Sequence, residues 1–191
     1  MVDAPPDTQK SMLDAALAEV LAHGVRRTSV SDIARRAGVA RQTLYRYWPD
    51  ASALFAALVT RELLAVVPSS YGDPSTLDEL VALLVETTGR IRRMALVDRL
   101  RDTDPELFAH YILDRLGTSQ RAIQAELARR IEHGQHAGYV RDANPDRLAA
   151  VVLLTAQASV QSAPLVAEWV DEPAWGDELT VLLRGYLGGP P

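Results

Sequence analysis

Apolar residues recur at helical spacing along nearly the whole chain, and no run alternates apolar and polar residues between turns as a strand does. The pattern therefore predicts an all-α fold of about nine helices. Near the N-terminus, helices are predicted over residues 7–23, 30–37, 41–47 and 51–67. Asp50 is expected to cap the last of these helices, and Gly38 to end the second in a left-handed conformation. The short turn after Gly38 lets the third helix leave at a steep angle, which is helix-turn-helix geometry.

The segment from residue 68 to residue 75, PSSYGDPS, is the clearest loop in the chain. It predicts a boundary between two functional parts. The first part, residues 1–67, would be a three-helix helix-turn-helix DNA-binding domain with a connecting fourth helix. The second part, residues 76–191, would be a larger C-terminal helical domain. Its helices are expected over residues 77–102, 105–116, 119–136, 145–169 with a break at Pro164, and 174–187.

The composition, with 48% hydrophobic and 24% charged residues, is typical of a soluble globular protein. Because the chain has no cysteine, disulfides and thiolate metal sites are excluded, which suits a reducing cytoplasm. The first residues lack the pattern of a secretory signal. The longest apolar run, Leu148 to Val160, is shorter than the roughly 20 residues that cross a bilayer. We therefore expect a cytoplasmic protein without a membrane span.

Positive charge is concentrated in one short stretch, although the whole chain carries a net charge of −5. Between residues 25 and 47 a single acid, Asp32, stands among six arginines. Such asymmetry indicates a nucleic-acid partner, whereas the simpler alternative is an arginine-rich helix face that is merely solvated. The arginines are Arg26, Arg27, Arg35, Arg36, Arg41 and Arg46.

The stretch from Thr28 to Trp48, TSVSDIARRAGVARQTLYRYW, carries the functional pattern. Ser29 and Asp32 have the spacing of a capping box at the start of a helix. If Leu44 and Trp48 turn inward, the opposite side of the third helix is free to enter a major groove. The residues on that side are Arg41, Gln42, Thr43, Tyr45 and Arg46.

These residues resemble the signature of the TetR family, over about fifty residues of the chain. The signature combines an Ile-Ala pair, Ala-Gly-Val, and Thr-Leu-Tyr followed by an aromatic residue. Here it reads Ile33-Ala34, Ala37-Gly38-Val39, Thr43-Leu44-Tyr45 and Trp48.

The resemblance implies roles for single residues. Those that match Arg41, Gln42 and Tyr45 approach bases or phosphates, as arginine pairs with guanine, glutamine with adenine, and tyrosine with phosphate. Those that match Thr28, Thr43 and Tyr47 mostly hold the backbone, although Tyr47 could simply pack against the first helix. The full candidate DNA-binding set is Thr28, Ser29, Arg41, Gln42, Thr43, Tyr45, Arg46 and Tyr47.

Two positions depart from the family pattern. Ala40 stands where the family often has a serine that caps the third helix, and Ala51 stands where a lysine is common. Losing a side-chain cap costs about 1 kcal/mol in a typical helix. Both changes reduce the expected grip on phosphate, so operator binding is expected to depend more on Arg26, Arg27 and Arg46.

The second part predicts a dimer and a ligand site. The helix from Pro145 is apolar nearly all round, and the last helix carries a stripe from Leu179 to Leu187, so both could join an intersubunit four-helix bundle. The alternative is that both faces belong to the core of a monomer. The resemblance implies a pocket for a small molecule in this part. Its candidate lining is Thr88, Met94, Leu100, Phe108, Tyr111, Ile112, Leu116, Gln157, Gln161 and Trp169, with Leu84 and Ile123 beside them.

The function that follows is a homodimeric regulator of transcription, most simply a repressor that a small-molecule ligand releases from double-stranded operator DNA. The alternative within the same fold is an activator or a protein-binding module with weak DNA affinity. An enzyme is disfavoured, because His133 and His136 have no acidic or cysteine partner that would complete a metal site. No catalytic residue, cofactor or metal is expected.

Overall fold

The computed structural model describes residues 6–67, 72–106 and 117–188. Within these ranges the chain forms nine α-helices, two short 3-10 turns at Val25–Arg27 and Ala163–Val166, and no strand, which confirms the predicted all-α fold. The helices are α1 (Pro6–His23), α2 (Val30–Ala37), α3 (Arg41–Tyr47), α4 (Ala51–Val66), α5 (Leu77–Arg92), α6 (Ala95–Thr103), α7 (Thr118–His136), α8 (Pro145–Ser162) and α9 (Glu172–Gly188). Four candidate ligand residues lie outside the described residues: Phe108, Tyr111, Ile112 and Leu116.

The first compact unit contains the described residues up to Leu63 together with those from Met94 to Glu106. Its core is apolar and is built from α1 to α4 and from α6. Burial of this apolar surface is the main term that stabilises the unit. Its fully buried large side chains include Met12, Ile33, Leu44, Leu54 and Leu58, and Leu96 and Leu100 of α6 join them.

The second compact unit contains the described residues from Leu64 to Arg93 and from Gly117 to Gly188. In this unit α7 packs along α8, and α5 packs against both α8 and α9. The helices bury one apolar face each, as expected of a helical bundle. The most buried core residues are Leu80, Ile131, Leu148 and Leu187.

The single helix expected over residues 77–102 is wrong, because the chain breaks it after Arg92. Met94 is extended, with φ −69° and ψ 128°, and a separate helix, α6, begins at Ala95. The apolar residues on either side of the break serve different cores: Leu80 packs in the second unit and Leu100 in the first. Apolar spacing is helical on both sides, so periodicity alone cannot reveal the break. The functional boundary between residues 67 and 76 remains a prediction.

The break expected at Pro164 is confirmed, since α8 ends at Ser162 and a 3-10 turn follows. By length and composition alone, the segment Pro145–Val166, with a mean hydropathy of 1.5, could cross a membrane. In the folded chain, however, α8 contributes Leu148 and Val152 to the core of the second unit. Its apolar character is therefore accounted for in part by burial inside the protein.

Candidate nucleic-acid interface

The start of α2 is fixed by Ser29 and Asp32. The Ser29 Oγ accepts a hydrogen bond from the backbone N–H of Asp32 at 3.1 Å and donates one to the Asp32 carboxylate at 2.5 Å. This hydrogen bond, together with the nearby charge of Arg35, holds the pKa of the Asp32 carboxyl below its usual value. Ser29 therefore acts as the N-cap that the spacing predicted, and Asp32 completes the contact through the serine hydroxyl.

The turn between α2 and α3 depends on Gly38. This residue has φ 68° and ψ 26°, the left-handed conformation predicted for it, and its N–H bonds back to Ala34 and Arg35. α3 then begins at Arg41, and its N-cap residue Ala40 is extended and makes no side-chain cap hydrogen bond. The predicted absence of a side-chain cap at the start of α3 is therefore confirmed.

The faces of α3 are sorted as the sequence predicted except at Thr43, which was expected on the exposed side and is half-buried. Leu44 and Trp48 are buried in the core of the first unit. Thr43 and Tyr47 are half-buried, and the Tyr47 ring lies 5.7 Å from the ring of Trp48. The exposed side chains on the opposite side are Arg41, Gln42, Tyr45 and Arg46.

The exposed arginines of α3 contact tyrosines. The Arg41 guanidinium donates to the Tyr45 hydroxyl, with Nη2 at 2.8 Å and Nε at 3.3 Å, and its Cζ lies 5.2 Å from the ring centroid. Arg46 lies over the Tyr47 ring at 5.4 Å. Neither arginine forms an ion pair with a carboxylate of the described residues. Their positive charge is therefore not neutralised locally.

The turn before α2, here called the entry turn (residues 24–28), is held by a buried carboxylate that the sequence did not reveal. Asp104, just after α6, is fully buried. Its carboxylate accepts hydrogen bonds from the backbone N–H of Val25 at 2.9 Å and of Arg26 at 3.2 Å, and from the Thr103 hydroxyl at 2.7 Å. The Thr28 hydroxyl closes the same turn by donating to the Gly24 carbonyl at 2.7 Å. The Thr28 hydroxyl therefore stabilises the turn that precedes α2.

Asp104 stands directly before Pro105, a pairing typical of the start of a helix, so its sequence context does not indicate a contact with the entry turn. The sequence separation of 79 residues between Asp104 and Val25 left no local signal for the contact. A buried carboxylate needs several hydrogen-bond donors. The contact with the entry turn could therefore be inferred only once Asp104 is known to be buried.

Two arginines of the cationic stretch are engaged by acids. Arg26 lies 3.4 Å from the Asp104 carboxylate and 2.6 Å from that of Glu106. Arg36 donates to the buried Glu19 of α1 at 2.7 Å. These arginines fix the entry turn and α2, and the charge of Arg26 is already compensated. Its expected contribution to phosphate grip is correspondingly reduced.

The described ligand candidates fall in both units. Leu100 and Met94 belong to the first unit, where Leu100 is core. In the second unit Thr88 is buried and donates to the Leu84 carbonyl at 2.7 Å, whereas Trp169 is 73% exposed. The side-chain nitrogen of Gln161 is buried and has no hydrogen-bond partner among the described residues. Gln157 lies one turn before it on α8 and is half-buried.

The apolar stripe on α9 is divided between two environments. Leu179, Leu183 and Leu187 are buried in the core of the second unit. Leu182 and its neighbour Val181 are instead exposed, by 51% and 69%. On α8, Leu154 is 62% exposed as well. Both helices therefore carry large apolar side chains that their own unit does not cover.

The part of the chain that the structure describes contains no group of three or more histidine, cysteine or acidic side chains placed to hold a metal ion. His136 makes a local contact of 2.9 Å between its Nδ1 and the Glu132 carbonyl. The pair His133 and His136 therefore lies at the end of α7 without a further ligand of those types.

The sequence matches known regulators over nearly its whole length. The profile of the bacterial regulatory proteins of the tetR family matches residues 12–58. An HTH-type transcriptional regulator of Mycobacterium bovis is 40% identical over 181 residues, which cover 95% of each chain. A counterpart of Mycobacterium tuberculosis is 39% identical over the same share of both chains.

Solved structures share the fold at low sequence identity. The fatty acid degradation regulator FadR from Bacillus halodurans has a TM-score of 0.68 at 18% identity, with 97% of both chains covered. The TetR-family repressor QsdR from R. erythropolis has a TM-score of 0.67 at 19% identity, with 98% of both chains covered. Together with the curated relatives, these similarities carry the assignment: the chain belongs to the TetR family of bacterial transcriptional regulators.

Proposed function

We propose that the chain grips operator DNA through the exposed side of α3. The observation that carries this proposal is the cationic surface of Arg41, Gln42, Tyr45 and Arg46, whose two arginines have no carboxylate partner among the described residues. Burial of Leu44 behind that surface fixes which side of the helix faces outward. A helix presented in this way fits the major groove of B-form DNA.

In this proposal the eight candidate residues divide by task. Thr28 and Ser29 hold the entry turn and the start of α2, and the half-buried Thr43 and Tyr47 orient α3 on the core. Arg46 contacts phosphate and Gln42 reads a base edge, because an amide can pair with adenine in two places. Tyr45 donates to phosphate, with Arg41 beside it.

The test is a comparison of two arginines in fluorescence anisotropy with the best duplex selected from random DNA. Arg46→Ala should weaken binding and lower the slope of log affinity against log salt by about 1, because one phosphate contact is lost. Arg90→Ala makes the same charge change on α5, where Arg90 is paired with Glu86, and should leave the slope unchanged. Equal slopes for Arg46→Ala and the parent protein would contradict the proposal.

We further propose that the chain works as a homodimer through the exposed apolar residues of α8 and α9. Large uncovered residues such as Leu154 and Leu182 favour a partner surface, and a second copy of this chain supplies the same surface. The two recognition helices would then lie about 34 to 36 Å apart, one helical turn of DNA. Double replacement Leu154→Arg with Leu182→Arg should give a monomer in sedimentation velocity. Leu21→Arg, on α1, should remain dimeric.

We propose a repressor that a small molecule releases from its operator, acting in the cytoplasm. Support comes from the similar FadR of Bacillus subtilis, which has been solved in complex with stearoyl-CoA, with a TM-score of 0.64 at 16% identity. In this chain the buried, unpartnered amide nitrogen of Gln161 would meet such a ligand, with Gln157 one turn before it on α8 and Thr88 in the same unit. α4, which connects toward the second unit, is the proposed lever. A ligand acts by binding better to the form that cannot hold DNA.

Stearoyl-CoA is the first probe. It should raise the melting temperature and weaken operator binding, and Gln161→Leu should reduce both effects. Gln124→Leu removes a comparable amide that already bonds to Asp146, and it should leave both effects intact. In a promoter reporter, deletion of the gene should raise expression. A fall in expression would favour an activator instead.

Catalysis is not part of the proposal, because the curated relatives carry the names of transcriptional regulators.

A further inference from the structure

Arg41 and Tyr45 form one connected unit on the exposed surface of α3. They stand one helical turn apart, and two N–H groups of the guanidinium converge on the tyrosine oxygen, Nη2 at 2.8 Å and Nε at 3.3 Å. The guanidinium carbon lies 5.2 Å from the centroid of the ring. The arginine therefore meets both the ring and the hydroxyl of the same tyrosine.

This contact determines which hydrogen bond the Tyr45 hydroxyl can still make. Its oxygen accepts from Arg41, so its own hydrogen remains available for an acceptor outside the protein. A donor that points at the oxygen polarises the O–H bond and strengthens the hydrogen bond that the hydroxyl donates. Because the acceptor must approach a cationic guanidinium as well, an anionic oxygen fits best. In a DNA groove that oxygen belongs to a phosphodiester.

The same contact limits what Arg41 does. The edge formed by Nε and Nη2 is one of the two that can pair with guanine, and here it is turned toward Tyr45. Breaking the contact to free that edge would forfeit both hydrogen bonds and the contact with the ring. An arginine that remains in place loses less side-chain entropy on binding, because it is already ordered.

We infer that Arg41 and Tyr45 bind one backbone phosphate together, and that Arg41 is a positioning residue for the Tyr45 hydroxyl and not a reader of guanine. The inference rests on the proposal that α3 contacts DNA. It divides the exposed side of α3 into a sequence-blind part, Arg41 with Tyr45, and a sequence-reading part that contains Gln42.

The experiment is a double-mutant cycle on operator binding with Arg41→Ala, Tyr45→Phe and the double variant at fixed salt. Each single change should weaken binding about tenfold, the usual effect of losing a hydrogen bond to a charged group. The double variant should be little weaker than the worse single variant, so that the coupling is about fivefold or more. If the fold-changes of the two single variants multiply to give the fold-change of the double variant, the two residues act independently and the inference is wrong.

A second readout measures base preference with single base-pair variants of the best duplex. Arg41→Ala should weaken binding to all of them by the same factor and lower the salt slope by about 1. Gln42→Ala, the adjacent exposed residue, is the matched control and should flatten the preference at one base pair. If Arg41→Ala flattens a single position instead, the arginine reads a base and the inference is wrong.

The two proposals fail in different ways. If the parent protein has no salt-dependent preference for any duplex, the proposed function itself fails. If it binds DNA but the cycle shows no coupling, only the shared phosphate contact fails. Because both side chains are exposed, circular dichroism and the melting temperature of the variants should match those of the parent protein.

Discussion

The entry turn and helix α3 are held in opposite ways, although only α2 and a short turn separate them along the chain. The entry turn is fixed by polar contacts: its backbone N–H groups at Val25 and Arg26 donate to the fully buried Asp104. α3 is fixed by apolar contacts through Leu44 and Trp48. Polar fixation sets a backbone conformation, because hydrogen bonds are directional. Apolar fixation leaves the outer side of the helix free for a ligand.

The comparison also sorts the arginines, which look alike in the sequence. Arg26, in the entry turn, and Arg35 and Arg36, on α2, are paired with acids. Those on α3 rest on tyrosine rings. An acid partner would have to be displaced or repelled by incoming phosphate, whereas a neutral ring keeps the positive charge available. Within a span of about twenty residues, arginines that contact acids are thus followed by arginines that contact tyrosine rings.

The largest expected effect follows from the buried carboxylate. Asp104→Asn keeps the shape but removes the charge and turns an N–H₂ group toward donors such as the Val25 N–H. The free energy of unfolding should fall by about 3 kcal/mol, measured by urea denaturation. Glu106→Gln is the control, because Glu106 is 85% exposed and pairs with the exposed side chain of Arg26, and it should behave like the parent protein. A loss below about 1 kcal/mol would show that the carboxylate does not hold the turn.

The next effect concerns the anchor of α2 on α1. Glu19 is buried and accepts a hydrogen bond from Arg36 at 2.7 Å. Glu19→Gln should lower the free energy of unfolding by about 1.5 kcal/mol, because a charged hydrogen bond is replaced by a neutral one. Asp14→Asn breaks the more exposed pair with Arg61 and should cost less than about 0.5 kcal/mol. If both variants lost the same free energy of unfolding, burial of Glu19 would add nothing to the stabilisation by its contact with Arg36.

The same contrast explains what the sequence could predict. The bounds of α2 and α3 agree with expectation because their signals are local: Ser29 caps one end of α2 and Gly38 closes the other. Leu44 was expected to turn inward, and it does so because spacing alone assigns a residue to a helix face. Local chemistry therefore determined the helix-turn-helix motif.

Features that depend on distant residues could not be predicted. The contact of Asp104 with the entry turn spans 79 positions, and no pattern near either partner announces it. The break before α6 has no signal in the sequence because helical periodicity continues across Met94. The ion pairs of Arg26 with acids that lie far along the chain likewise have no local signal in the sequence. Such pairings are decided by the packed structure.

Two glycines test the junction between α2 and α3. Gly38→Ala should lower the free energy of unfolding by about 1 kcal/mol, because φ of 68° strains any side chain even though the space around it is open. Gly185→Ala, in the interior of α9, also meets open space but has no positive φ. It should stabilise the protein by about 0.5 to 1 kcal/mol, since alanine is the better helix former. Thermal unfolding measures the change in stability of each variant. If both substitutions changed the stability in the same direction, backbone strain at Gly38 would be excluded as the cause of its effect.

The smallest effect is a gain at the start of α3. Ala40 already has the extended backbone of an N-cap but offers no side-chain acceptor. Ala40→Ser supplies one, and thermal unfolding should report a gain of about 0.5 to 1 kcal/mol. Ala158→Ser, on the exposed surface of α8, should instead cost a few tenths of a kcal/mol, because serine is a weaker helix former than alanine. If both serines destabilise, α3 is held by Leu44 and Trp48 alone and its first turn is frayed whichever residue precedes it. If Ala40→Ser also tightens operator binding, then fraying of the first turn of α3 limits how well Arg41 positions the Tyr45 hydroxyl in the parent protein.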